Sequence, residues 1–289
     1  MSASNAHGFV CKYSYHTANS PSLGFKAPEV VGEIGPGTNI GLGLTALMTG
    51  SKEYRAFTGA DPRTHGLDVD AALDSLAEIK DHLANKNEKL PNHVNKALPR
   101  HSSSESYLNE RVTAIASALQ GENNSEAAIY IEEDWMAKDQ DHIQDHFDYI
   151  FSHQVMEHVI NALDVYLRIQ GMLKTKGVQS HSIDFTAHGQ FPPYANGHYE
   201  FNRRKWERLI GFRNPQVSNL NALPPNFHKC VLASLGNEIT LWQLKRYAPG
   251  VELVPELAPD TLIPASEADV SDCWVEAVKS FDGVFPDPF

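Results

Sequence analysis

Long apolar runs are missing from this sequence. No stretch is long enough to cross a bilayer, although 42% of the 289 residues are hydrophobic. Cysteine is scarce: Cys11, Cys230 and Cys273 lie far apart, form no CxxC pair and are odd in number. That excludes a disulfide framework and points to free thiols in a reducing, cytoplasmic compartment. The N-terminal stretch MSASNAHGFVCKYSYHTANS has no apolar centre, so no secretory signal is expected. Basic residues are outnumbered, 24 against 36 acidic ones, for a net charge of −12. Only short basic clusters such as FNRRKWER (201–208) occur, and a nucleic-acid surface, which must displace counterions with cations, is not expected. Histidine is plentiful, with 14 copies, but no HExxH motif organises it.

What is present is an alternation of apolar runs and helical periodicities. EVVGEIG (29–35), YRAFTGAD (54–61), AAIYIEED (127–134), FDYIFSHQ (147–154) and VQSHSIDFTAH (178–188) read as five strands. PQVSNLNAL (215–223) reads as a sixth and DCWVEAVKS (272–280) as a late one. Helices are expected at 38–50, 159–177 and near 202–211, with Gly50 and Gly177 as stops. Residues 1–28 read as an N-terminal arm, irregular or carrying a short helix, and 29–289 as one domain. Within it, residues 62–126 form an insert with helices at 68–84 and 106–121, joined by a Pro/Ser-rich loop of the length expected of a lid. Strands alternating with helices imply an α/β, Rossmann-like, doubly wound and mostly parallel sheet covered on both faces. Ligands of such sheets bind beyond the carboxyl ends of the strands, where the turn after the first strand lies.

That turn, GEIGPGTNIG (32–41), does not fit a phosphate loop. GxxxxGK[ST] is absent, because Ile40 stands at the sixth position from Gly35 and no Lys-Ser/Thr pair follows. Gly35 and Gly37 give the GxG of a dinucleotide fingerprint, but Ile40 replaces its third glycine, and Glu33 would face a pyrophosphate unfavourably. S-adenosylmethionine has no phosphate and carries an ammonium that a carboxylate suits. The glycines would let the backbone approach it closely. Asp61, 24 positions after Gly37, is placed for ribose hydroxyls, or is a turn residue before Pro62. Asp134 closes the third strand and suits an adenine amino group, or caps a helix; Trp135 beside it suits the adenine ring, or the core.

GEIGPG, GADP, EED and FDYIFSHQVMEHV together resemble the consecutive motifs of class I S-adenosylmethionine-dependent methyltransferases, and most closely the small-molecule and glycan group. The resemblance covers roughly 29–61 and 127–220. It implies a seven-stranded sheet and S-adenosylmethionine as cofactor. Glu33, Gly35 and Gly37 would contact the methionine part, Asp61 the ribose, and Asp134 with Trp135 the adenine; Ser152 and His153 would lie beside the transferred methyl. Asn39 stands where the family often has a third glycine.

Methyl transfer to a hydroxyl needs alignment, exclusion of water and a base, for which histidine is suited near neutral pH. The candidates are His153, His181, Asp184 and His188, with Glu157 sharing a helical face with His153. Strand alternation sets His181 opposite Asp184 and His188, and the latter two form a base with its orienting carboxylate. His153, Glu157, Asp184 and His188 are competent divalent-metal ligands, but their spacing matches no metal motif and no metal is expected. The acceptor, a small molecule or glycan, would be held by the insert, the N-terminal arm and the loop HGQFPPYANGHYEFN (188–202). A homo-oligomer stays open. Two alternatives remain, a nicotinamide-dependent oxidoreductase and a non-catalytic methyltransferase-like binding subunit.

Overall fold

A computed structural model of the chain describes residues 5–18, 20–23, 26–37, 39–59, 66–85, 104–122, 126–133, 135–136, 143–188, 193–201, 205, 208, 220–259, 261 and 263–280. The chain folds as two compact units, Met1–Ser152 with Gly171–Gln179, and His153–Gln170 with Ser180–Phe289. The strands are β1 (Val30–Ile34), β2 (Glu53–Thr58), β3 (Ala128–Glu133), β4 (Phe147–His153), β5 (Leu173–Asp184), β6 (Asn237–Arg246) and β7 (Val270–Lys279). They form one seven-stranded sheet in the order β3-β2-β1-β4-β5-β7-β6. The β1–β2, β1–β4 and β2–β3 pairs are parallel, and β6–β7 is antiparallel.

In the first unit, α1 (Asn5–Ala18) turns the expected arm into a regular helix packed on α2 (Gly41–Met48) and α3 (Val69–Ala84). α2 is buried along its whole length, as its run of Leu, Ala, Gly and Met predicts. α3 and α4 (Glu105–Leu119) carry the apolar stripes of the insert, with Leu76, Ile79, Leu108 and Ile115 buried. Their N-termini are capped by Asp68 and Ser104, which accept from the N–H groups of Ala71 and Tyr107. Arg111 of α4 is buried, and its guanidinium donates to the carbonyls of Leu47, Ser51 and Glu126 at 2.9, 2.6 and 2.7 Å. A cation there suits the negative C-terminal end of α2 and ties it to the segments leading into β2 and β3. Asp148 of β4 accepts from Val30 N at 2.8 Å and from Lys174 Nζ at 2.7 Å, tying three strands together.

Several boundaries differ from the sequence reading. The helix expected at 159–177 is α5 (Ala162–Met172), and the next five residues already belong to β5. Gly177 is not a helix stop. A Cβ there would come within 2.7 Å of the Lys174 carbonyl and 2.9 Å of the Phe147 carbonyl, so glycine serves a close strand approach. The sixth strand is β6, not 215–223: residues 220–223 are not strand, and 215–219 lie outside the described residues. β6 alternates poorly because it is a half-exposed edge strand. α6 (Pro225–Ser234) precedes it, begun by proline at its first position. Most of the helix expected near 202–211, and residues 86–103 of the insert, lie outside the described residues.

Candidate functional site

Strand numbering reverses at β1, whose neighbours are β2 and β4. In such sheets the crevice for a ligand opens at the carboxyl end of that strand. There the chain makes its glycine turn. Gly35 and Gly37 both adopt positive φ, 68° and 71°, which only glycine takes without strain. Gly35 N donates to Phe57 O at 2.9 Å, fixing the turn on β2. A Cβ on Gly37 would meet nothing within 4 Å among the described residues. Asn39 Oδ1 accepts from Gly41 N at 2.6 Å. It thereby occupies one of the helix N-terminal donors that a phosphate would otherwise take.

Glu33 lies beneath the turn rather than on it. It is 3% exposed, and Tyr54 donates its hydroxyl to Oε2 at 2.6 Å. Burial raises its pKa from 4.5 to about 7, against the opposing pull of Tyr54 and the Gly43 N–H. The folded state therefore holds this proton more tightly than the unfolded chain. The stabilisation is complete below 4.5 and is lost as pH rises through about 7. A shift of that size is worth about 3 kcal/mol. Glu33→Gln is expected to remove this share of the pH dependence, seen as a smaller difference between urea midpoints at about pH 5 and about pH 8. An unchanged difference would contradict the assignment.

Asp61 and Asp134 lie outside the described residues. Trp135 is 4% exposed, with its ring 5.2 Å from that of Phe57, and Ser152 is fully buried near the end of β4.

The second unit gathers another polar group. Asp184 closes β5, and its Oδ1 accepts from Thr186 N at 2.7 Å, which aims Oδ2 at His188 Nε2, 3.4 Å away. The two side chains stand at ion-pair distance, although His188 Nε2 has no partner at hydrogen-bonding geometry. The neighbouring Asp184 carboxylate is the main cause that raises the His188 pKa above its ordinary value. Asp184 itself is held below the usual carboxylate range: burial works against this, and His188 and Thr186 outweigh it. His188 is one of the few non-glycine residues at positive φ, 50°. Strained residues of this kind persist where surroundings over-determine them, often at functional sites. The His158 ring lies 5.1 Å from the His188 ring, edge to face.

Glu157, 3% exposed, sits in a one-turn helix, Met156–His158. Asn221 clamps that turn: its N–H donates to Glu157 O at 2.7 Å, and its Nδ2 donates to Met156 O and Val159 O at 2.7 and 2.9 Å. His153 and Glu157 do not share a helical face, because β4 ends at His153 and Gln154 turns the chain at φ 56°. His153 stands edge-on to Trp274 instead, ring centroids 6.5 Å apart. His181 is fully buried within β5, 5.3 Å from the Tyr166 ring, and desolvation drives its pKa down to about 3. Those are the surroundings of a core histidine, so it is set aside as a base. Sequence reasoning placed His158 in the SHQVMEH stretch, as a candidate or a core histidine, without pairing it with His188, and it missed Asn221. The MEH tripeptide carried the only signal for His158, and spacing carried none for Asn221.

The order β3-β2-β1-β4-β5-β7-β6, mostly parallel with an antiparallel β6–β7 pair and a glycine turn after β1, decides the architecture. The chain has a Rossmann-like α/β fold with a mostly parallel seven-stranded sheet. No family model matches the sequence, and no curated protein sequence matches it. Solved structures do resemble it. One is a chain of a complex containing the Haloferax volcanii Trm112 methyltransferase activator, at 10% identity and TM-score 0.47, covering 96% of this chain and 92% of that one. Another is a SAM-dependent methyltransferase from Methanosarcina mazei, at 9% identity and TM-score 0.43, covering 89% and 95%. A third is the cyclase SpnF, at 11% identity and TM-score 0.43, covering 93% and 80%. Fold alone does not assign chemistry, so function rests on the residues. Among the described residues no helix is long and apolar enough to cross a membrane.

Proposed function

We propose that the chain is an S-adenosylmethionine-dependent methyltransferase acting on a hydroxyl of a small molecule or glycan. One observation carries the reading: the positive-φ glycines Gly35 and Gly37 at the reversal of strand order, with no described residue within 4 Å of a Cβ on Gly37 and no lysine in the turn to hold a phosphate. Ile40 is buried where a dinucleotide turn needs its third glycine, and Asn39 already takes Gly41 N, which disfavours a pyrophosphate. The charge of Glu33 argues less strongly against phosphate than the sequence suggested, because burial leaves it partly protonated near neutrality. Its role is to brace the turn from below. Gly35 and Gly37 would hold the methionine part, Asp61 the ribose, Asp134 and Trp135 the adenine, with Ser152 near the sulfonium.

When bound, S-adenosylmethionine would supply an activated methyl group for transfer to the acceptor oxygen, leaving S-adenosylhomocysteine. The chain's own task is to take the hydroxyl proton. Asp184 engages His188 on the Nε2 side, leaving Nδ1 to accept it. Because Asp184 raises the His188 pKa, activity should climb as pH passes above the ordinary histidine range, where the imidazole becomes neutral. The test is transfer of labelled methyl to a panel of phenols, catechols and sugars across pH. Label on an acceptor oxygen supports the proposal. Cofactor binding without transfer to any hydroxyl class would instead favour a binding subunit.

A further inference from the structure

Glu157, His158 and His188 form the one cluster among the described residues in which three metal-ligating side chains converge. One donor atom from each lies within 4.8 Å of the others. Glu157 Oε1 stands 3.9 Å from His158 Nε2. The backbone N–H groups of Glu157 and Asp184 lie near enough to favour its charge, yet neither carboxylate oxygen has a partner at hydrogen-bonding geometry. A buried carboxyl left in that state is costly. Desolvation accordingly pushes its pKa up to about 8.

The surroundings fit a ligand rather than a packing defect. Asn221 fixes the backbone of the Glu157 turn through three hydrogen bonds, and His188 is held at positive φ. Asp184 stands beside His188 as an outer carboxylate, the arrangement that orients a ligating imidazole. His158, whose side chain is 37% exposed, leaves a path from solvent.

We infer that Glu157, His158 and His188 bind a divalent cation of the zinc class, with Asp184 as the orienting carboxylate behind His188. Two imidazoles and one carboxylate select such a cation over magnesium or calcium, which prefer all-oxygen shells. Metal–ligand bonds near 2.1 Å put donors roughly 3.0–3.5 Å apart in a tetrahedral shell, so the cluster must contract by about 1 Å. Three protein ligands would leave a position open. This inference reverses the expectation of no metal, because the fold places His158 where spacing alone gave no motif. A bound cation would take the His188 nitrogen that Asp184 leaves free, so metal binding and the general-base role of His188 are alternative states of this site; the inference rests on the cluster and not on the methyl-transfer reading.

The experiment uses untagged full-length protein stripped with chelator and titrated with zinc chloride by calorimetry near neutral pH. One equivalent is expected to bind, and Glu157→Gln and His158→Ala are each expected to weaken the dissociation constant at least tenfold. Cobalt in place of zinc should give visible d–d bands without a near-ultraviolet thiolate band. The Cys11–His7 pair, Sγ to Nε2 3.4 Å, would produce that thiolate band if it were the site. Magnesium should not compete. No zinc binding, unchanged affinity in both variants, or a thiolate band would each overturn the proposal. Glu157→Gln keeps the size and neutrality of a carboxyl that is mostly protonated near neutral pH without metal, so it should melt close to the unmodified chain, keeping the comparison between folded proteins. S-adenosylhomocysteine binding on the same samples reports separately on the cofactor reading.

Discussion

Gly43→Ala is expected to destabilise the first unit by about 3 kcal/mol or more, lowering its melting temperature by roughly 6–12 °C. In a helix the exchange ordinarily stabilises by about 0.5–1 kcal/mol, so the sign itself is informative. The reversal follows from Tyr54. A Cβ on Gly43 would stand 2.2 Å from Tyr54 Cζ, inside a ring that is fully buried and has nowhere to go. Displacing the ring also breaks the 2.6 Å bond from its hydroxyl to Glu33, leaving a buried carboxyl with one partner fewer. Gly8→Ala supplies the contrast. Gly8 lies in α1 with nothing within 4 Å of the added carbon, so the helical gain should appear there undiminished. Equal effects at the two positions, measured by thermal and urea unfolding, would contradict the packing described for α2.

Asp184→Asn should lower the methyl-transfer rate by about 10²–10⁴ with a smaller change in KM, the loss typical of general acid–base catalysis. The amide keeps its size and can still accept from Thr186 N, but it no longer holds a charge against His188. The acid limb of the pH–rate profile should therefore move down toward the ordinary histidine range as the rate falls. If the principal role of Asp184 is instead to orient a metal-bound His188, metal affinity should weaken about 10–100-fold and added zinc should restore activity. A purely structural role would move neither the profile nor the metal response.

The parallel half of the sheet was legible because β1, β2 and β4 are buried, apolar and followed by turn residues. The Asp184/His188 pair was expected from strand alternation through residue 188, but β5 ends at Asp184, and it is the turn leading to His188 at φ 50° that brings the two together. Three things were not legible. β5 starts five residues early because Gly177, which looks like a helix stop, is required by a backbone approach that only tertiary structure creates. Glu33 bonds Tyr54, 21 residues away, and no local pattern foretells that contact. The Glu157–His158–His188 group depends on a one-turn helix clamped by Asn221 from more than 60 residues along the chain. Sequence spacing could not bring these together.

The central claim is that the turn after β1 holds an adenosyl sulfonium cofactor without phosphate. Calorimetric titration with S-adenosylhomocysteine and with NADH tests it most directly, on the unmodified chain and on Gly37→Asn. Asparagine tolerates positive φ, so this variant places a side chain at position 37 while leaving the backbone able to keep its turn. One equivalent of S-adenosylhomocysteine is expected to bind, with no NADH bound and affinity at least tenfold weaker in Gly37→Asn. Absence of S-adenosylhomocysteine binding to the folded chain, or NADH binding that Gly37→Asn abolishes, would contradict it.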